Sequence, residues 1–358
     1  MNVGRLLRSI ASVILGLSLG LLVTKIAGEN PWNVLRILVR SAFGSPYDLG
    51  MTLFYATPLI FTGLSVAVAF RAGLFNIGAE GQLNFGALAA SVAGIYFPKI
   101  PYPVAPIFSA FCAFSMGAFW GAIPGWLRAK RESHEVINTI MLNFISAGIC
   151  SWLTIYIFRN SETQNPETQA VAPGYLIPGF SFFGGAPVSF ALILALISAL
   201  FVWYFLKNTT LGYELRAVGQ NEAAAKAAGI DASKIRILAM TLSGGLAGLV
   251  GVSEVLGNAG AYKLGFSPGY GFMGIAVALL GRNRAFGVVC SAFLFGALYK
   301  GTTDLDLETE NVTRDISLVL QALVILCVSA EGFWSFMGDR LKQKFARRKK
   351  PSVESQVV

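Results

Sequence analysis

Apolar residues fall along this chain in long unbroken runs parted by short polar or charged stretches, rather than alternating in twos or striping one helix face. Such runs predict helices that are apolar all round. A span needs roughly 20 of these residues, because a helix rises ~1.5 Å per residue and the hydrocarbon core is ~30 Å thick. Ten runs can be drawn, centred on Ile10 to Val23, Met51 to Phe70, Ile77 to Phe97, Val104 to Leu127, Val136 to Phe158, Phe190 to Leu206, Ile235 to Leu256, Tyr270 to Leu280, Phe286 to Tyr299 and Ile316 to Phe336. The eighth and ninth are short and poorly separated. The expectation is therefore an all-α, polytopic membrane protein of about ten transmembrane helices. A β-barrel would instead show ~10-residue alternating strands. Arg5 and Arg8 precede the first run as in a signal peptide, but no small-x-small cleavage site follows, which favours a retained first helix.

Composition agrees, with 54% hydrophobic and only 13% charged residues. Cys112, Cys150, Cys290 and Cys327 all fall inside runs and read as small apolar residues. No polar stretch is long enough to bury its own core, so residues 1–337 form one membrane domain, followed by a basic tail, 338–358.

The net charge of +9 is unevenly distributed. With a cytoplasmic N-terminus, the inner face collects 20 of the 28 Lys and Arg: Arg5, Arg8, Arg71, Arg128, Lys130, Arg131, Lys207, Arg216, Lys226, Lys234, Arg236, Arg282, Arg284 and seven between Arg340 and Lys350. Asp304, Asp306, Glu308, Glu310 and Asp315 then occupy an outer loop between the last two spans. This positive-inside pattern puts both termini in the cytoplasm. Membrane lipid, rather than nucleic acid, is the partner that such a tail implies.

Two loops stand out. The outer one, Arg159 to Pro187, is rich in turn-forming residues and suits a capping role. The inner one, residues 207–236, contains the helix-forming run Glu222-Ala-Ala-Ala-Lys-Ala-Ala, closed by Gly229 where a C-cap glycine belongs. An exposed Ala-rich helix is either a plain connector or needs a partner to pack against.

The densest polar cluster within an apolar run is Gly73-Leu-Phe-Asn-Ile-Gly-Ala-Glu-Gly-Gln-Leu-Asn-Phe-Gly86. A central charge in hydrocarbon costs roughly 2.5 to 3.5 kcal/mol on insertion scales, so Asn76, Glu80, Gln82 and Asn84 must turn inward. They either line a solute pathway or bond to neighbouring helices, and Glu80 has the further option of holding a loop at the cytoplasmic boundary. Arg71 to Gly86 and Gly265 to Gly287 form a pair of Gly-rich, interrupted segments in the two halves of the chain, a pattern that points toward a transport pathway.

The run Phe70-Arg-Ala-Gly-Leu-Phe-Asn-Ile-Gly-Ala-Glu-Gly-Gln82 resembles the signature of permease subunits of bacterial ABC importers for nucleosides and simple sugars, the branched-chain amino acid/ribose-type permeases. Thr210-Leu-Gly-Tyr-Glu-Leu-Arg-Ala-Val-Gly-Gln-Asn-Glu-Ala-Ala-Ala-Lys-Ala-Ala-Gly-Ile230 is similar to that family's ATPase-contacting loop. The resemblance runs from Met1 to about Met337. It implies a type II importer-like fold in a bacterial inner membrane, with a cytoplasmic ATPase, a second, paralogous permease and an extracytoplasmic binding lipoprotein as partners. It makes the Ala-rich segment the coupling helix, with Glu214 and Arg216 for polar contacts to the ATPase, Ala224 and Ala225 for packing, Gly219 and Gly229 at its ends, and Asn221 as a further coupling residue. Asn76, Glu80, Gln82, Asn84, Asn138 and Asn143 are the candidates for lining the pathway of a neutral small-molecule substrate.

No phosphate-binding Gly-x-x-x-x-Gly-Lys-Ser/Thr loop occurs, so ATP and Mg are expected on the partner ATPase and no cofactor in this chain. Enzymatic chemistry lacks its parts: the one histidine, His134, sits by Arg131 and Glu132 on a cytoplasmic loop, and no metal-ligand spacing appears. An ion-coupled carrier is the rival, and would need Glu80 or Glu254 as a buried ion site.

Overall fold

A computed structural model of the chain describes residues 3–309, 312 and 314–329. The basic tail 338–358, the end of the tenth run and Glu310 lie outside the described residues.

The described chain is helical, with thirteen α-helices: α1 (Val3–Ile26), α2 (Pro31–Phe43), α3 (Pro46–Arg71), α4 (Ala79–Tyr96), α5 (Val104–Arg131), α6 (Glu135–Tyr156), α7 (Ala191–Asn208), α8 (Thr210–Gln220), α9 (Glu222–Ala227), α10 (Ala232–Gly248), α11 (Tyr270–Leu280), α12 (Ala285–Glu308) and α13 (Arg314–Ser329). A π-helical segment, Val252–Ala259, carries α10 onward. Among the described residues, all ten apolar runs fall on helices. Among the described residues, six helical stretches are long and apolar enough to cross a membrane: α3, α5, α6, α7, α10 with its π segment, and α12. Ala11–Ile26, Tyr270–Leu280 and Leu318–Cys327 are shorter apolar helices. α4 is outside the six, because Glu80, Gln82 and Asn84 occupy its first two turns.

Helix starts follow the local chemistry. Ser45 caps α3, its Oγ accepting from Asp48 N at 3.1 Å, and Pro46 occupies the first turn, where its missing N–H is no loss. On the face that carries α8 and α9, Thr209, Asn221 and Asp231 cap α8, α9 and α10 in the same way. Asp304, Asp306 and Glu308 sit in the last turns of α12, not in a loop as the charge pattern suggested, because the helix continues to Glu308. The reason is visible at Lys300: the ammonium is nearly buried, 3.5 Å from Asp48 of α3 and paired with Asp304 one turn along. A buried cation demands such partners, and they hold the end of α12 in helical register.

α3 runs through the middle, buried on almost every side, with α10, α11, α12 and α7 around it. The tightest crossing is α5 on α10. Gly117, Gly121 and Gly125 on α5 recur every four residues, and Gly244 and Gly248 on α10 match them, so the two backbones touch where side chains would ordinarily separate them. The outer loop predicted from Arg159 folds over the ends of α4 and the π segment. Its Tyr175 is fully buried and donates to Phe97 O at 3.0 Å, and Thr168 bonds Ser91 of α4 at 2.7 Å. α6 lies at the periphery and shows Ile137, Met141, Phe144 and Trp152 outward.

Candidate functional site

The polar cluster of the sequence builds a break in the helical bundle. After α3 ends at Arg71, residues 74–77 are non-helical, and α4 begins only at Ala79. The second interrupted segment behaves alike: residues 260–269 precede the eleven-residue α11. Gly274 of α11 packs on Thr62 of α3, nine residues or roughly 13 Å from the end of that helix, so α11 starts deep inside the bundle. The beginnings of the two short helices meet there. Gly271 lies so close to Ala79 and Glu80 that a Cβ on it would stand 2.6 Å from Glu80 Cα.

Helix N-termini leave backbone donors unsatisfied, and away from water each needs a partner. Side chains supply them. Glu80 Oε2 accepts from Gly271 N at 2.7 Å, which also sets a carboxylate at the positive end of α11, and Ser267 Oγ accepts from Tyr270 N at 3.0 Å. For α4, Asn143 of α6 accepts from Gly81 N at 2.8 Å while its amide donates to Ile77 O at 2.9 Å, and Ser146 donates to Gly81 O at 2.8 Å. Asn76 Oδ1 accepts from Gly78 N at 2.9 Å. Asn76 also donates to Gln82 Oε1 and to Ser243 Oγ of α10, both at 2.8 Å, and Ser243 donates to Ser65 O of α3 at 2.7 Å.

The six residues expected along a pathway thus have different surroundings. Asn76 and Gln82 are fully buried and tie the break to α3 and α10. Asn143 caps α4. Asn138 lies in the first turn of α6, accepting from Ser133 at 2.9 Å, one residue before Thr139, which meets Gly78. Glu80 and Asn84, one turn apart on α4, stay partly exposed. Asn84 donates to Glu80 O at 2.8 Å and accepts from the Tyr262 hydroxyl at 3.1 Å, a partner the sequence did not single out. Glu254, in the π segment, is 7% exposed and lies against Asn258 and the Tyr270 hydroxyl, with no hydrogen-bond partner for Oε1 among the described residues. Glu80 and Glu254 therefore both flank the start of α11.

The inner loop, expected to carry one helix, carries two. α8 packs back on the bundle and α9 projects. Gly229, at φ 84°, closes α9: its N–H bonds Lys226 O at 3.0 Å and the N–H of Ile230 bonds Ala225 O at 3.0 Å, the left-handed cap that favours glycine. Asn221 starts α9, so Gly219 is not its end as expected. Gly219 lies within α8 against the Arg71–Gly73 turn, where a Cβ would stand 2.8 Å from Ala72 C and Gly73 N. Ala225 is buried, whereas Asn221, Ala224 and Gly229 are exposed and Glu214 and Arg216 half-exposed. Glu222 bridges Lys226 at 2.9 Å and pairs with Arg236 of α10. The Lys226 hydrogen bond, with the Arg236 charge, holds its carboxyl below the usual range.

A profile for the permease component of branched-chain amino acid transport systems matches residues 49–329. The chain belongs to this permease family. It is 36% identical to the guanosine ABC transporter permease protein NupP of Bacillus subtilis over 352 residues, 96% of this chain and 99% of that protein. The glucose ABC transporter permease protein TsgB13 of Haloferax volcanii is 32% identical over 353 residues, 95% of this chain and 90% of its own length. The nucleoside ABC transporter permease protein NupB of Lactococcus lactis is 34% identical over 338 residues, 91% of each. Family and fold together make this a multi-pass membrane permease, and the break at Arg71 to Gly86 and the α8–α9 loop both lie inside the matched region.

Proposed function

We propose that this chain forms half of the conducting path of an inner-membrane ATP-driven importer for a nucleoside or a chemically similar sugar. The observation that carries it is the partly open Glu80–Asn84 face at the meeting of two short helices. Lipid there would leave a carboxylate in hydrocarbon at a cost of roughly 2.5 to 3.5 kcal/mol, whereas a solute path or a second permease would not. The α8–α9 loop docks on a separate ATPase that holds ATP and Mg, an extracytoplasmic lipoprotein delivers the solute, and a paralogous permease supplies the other half. About ten spans with cytoplasmic termini complete the reading: α1, α4, α11 and α13 add four crossings or partial crossings to the six long spans, and Arg71, Arg216 and Arg284 gather on the face that bears α8.

Of the six candidates, Asn84 is the solute contact, and Asn76, Gln82 and Asn143 are scaffold. Asn84→Ala is expected to raise the apparent KM for uptake at least tenfold while leaving the assembled complex at its normal level. Gln82→Ala should do the opposite, lowering the yield of complex with little change in KM, since its bond to Asn76 is fully buried. Measuring uptake and complex yield side by side decides it. An unchanged KM in the Asn84 variant overturns the contact.

A further inference from the structure

α2 lies between the first two apolar runs and is amphipathic. Asn30 caps it, accepting from Trp32 N at 2.9 Å, and Pro31 fills its first turn. One stripe, Val34, Leu38, Ser41 and Ala42, is buried. That stripe lies lengthwise on α12: Leu38 meets Gly301, and the Phe43 ring is 5.9 Å from that of Phe293. Because α12 is one of the long apolar spans, α2 sits beside the membrane's boundary layer rather than above it.

Its other stripe is Trp32, Leu35, Arg36, Val39, Arg40 and Phe43, which line a groove of about 540 Å³. Trp32 is 71% exposed. Arg36 and Arg40, one turn apart, are both exposed, and neither has an ion-pair partner among the described residues. Asp48 and Asp304, near the same ends of α3 and α12, are both paired with Lys300.

Two uncompensated guanidinium groups on an apolar groove at a membrane's edge call for an anion that already resides at that depth. A phospholipid phosphate does, and guanidinium forks match its oxygens. Trp at the headgroup level and aliphatic side chains below suit the rest of such a molecule. A protein covering this groove would have to bring its own pair of acids into the membrane. We propose that the α2 groove binds one anionic phospholipid, its phosphate between Arg36 and Arg40 and an acyl chain along Leu35, Val39 and Phe43.

The test uses the whole assembled transporter, stripped of lipid in a neutral detergent and then supplied with phosphatidylglycerol or phosphatidylcholine. Native mass spectrometry is expected to find one more retained phosphatidylglycerol in wild type than in an R36Q/R40Q double variant, with no such difference for phosphatidylcholine. Equal retention in the two proteins overturns the proposal. In a separate measurement that needs no charge variant, brominated phosphatidylglycerol should quench a component of the fluorescence that Trp32→Phe removes. Absence of that component in the assembled transporter means that the second permease covers the groove, and refutes lipid as its occupant.

Discussion

Gly248→Leu is expected to deplete the permease from the membrane at least tenfold, and Gly117→Leu to do the same. Both residues lie where α5 crosses α10 with backbones in contact. A Cβ on Gly117 would stand 2.9 Å from Gly248 Cα and 3.0 Å from its N, and one on Gly244 would stand 2.9 Å from Gly121 Cα. Overpacking a core ordinarily costs 1–3 kcal/mol because side chains shift aside. Here the obstacle is main chain on both sides, and relief requires the helices to part. Parting them also pulls α10 from α4, since Gly86 of α4 meets the same Gly248, and Gly251 just beyond α10 meets Ala87. The chain would lose its most extensive helix pair and the seat of α4 together. Membrane levels of the tagged permease, compared with Gly148→Leu, measure the effect. Gly148 has open space around it, and its variant should accumulate normally.

The second large effect is on coupling. Gly219→Val should abolish solute uptake while the permease stays in the membrane and still binds its ATPase. Gly219 is the point where the inner loop touches the Arg71–Gly73 turn, and that turn leads through Asn76 to the start of α4. A side chain there must either push α8 away or displace the turn, and either one severs the path from loop to break. Gly229→Ala is the comparison: the left-handed φ of 84° strains alanine, but nothing lies within 4 Å, so the damage should stay within α9 and reduce uptake only partially. ATP hydrolysis without transport in the Gly219 variant is the expected signature. Normal uptake would show that the contact carries no motion.

Much of this architecture was legible in the order of residues. Unbroken apolar runs located ten helices because side-chain hydrophobicity is all that a membrane span demands. The Ala-rich run and Gly229 announced a helix and its cap for a similarly local reason. What was not legible was whatever depends on distant partners. Asn76, Gln82 and Asn143 could be read either as pathway amides or as bonds to neighbouring helices, and only the fold gives their partners: Asn76 holds Gly78 N, Gln82 and Ser243, Gln82 holds Asn76, and Asn143 holds Gly81 N and Ile77 O. Gly219 looked like a helix end, whereas its reason for being glycine lies at Gly73, far away in sequence. α2 escaped because its apolar residues are too few for a span and stripe one face. The Gly117, Gly121, Gly125 spacing with Gly244 and Gly248 is itself a legible small-residue signal for a close helix crossing.

A buried carboxylate at the start of α11, Glu254, is also what an ion-driven carrier would use. Nucleoside uptake into vesicles holding the full complex, with either the partner ATPase inactivated or the proton gradient collapsed, separates the two. The proposed role requires uptake to stop in the first case and persist in the second. Uptake that survives loss of the ATPase but disappears with the gradient would contradict it.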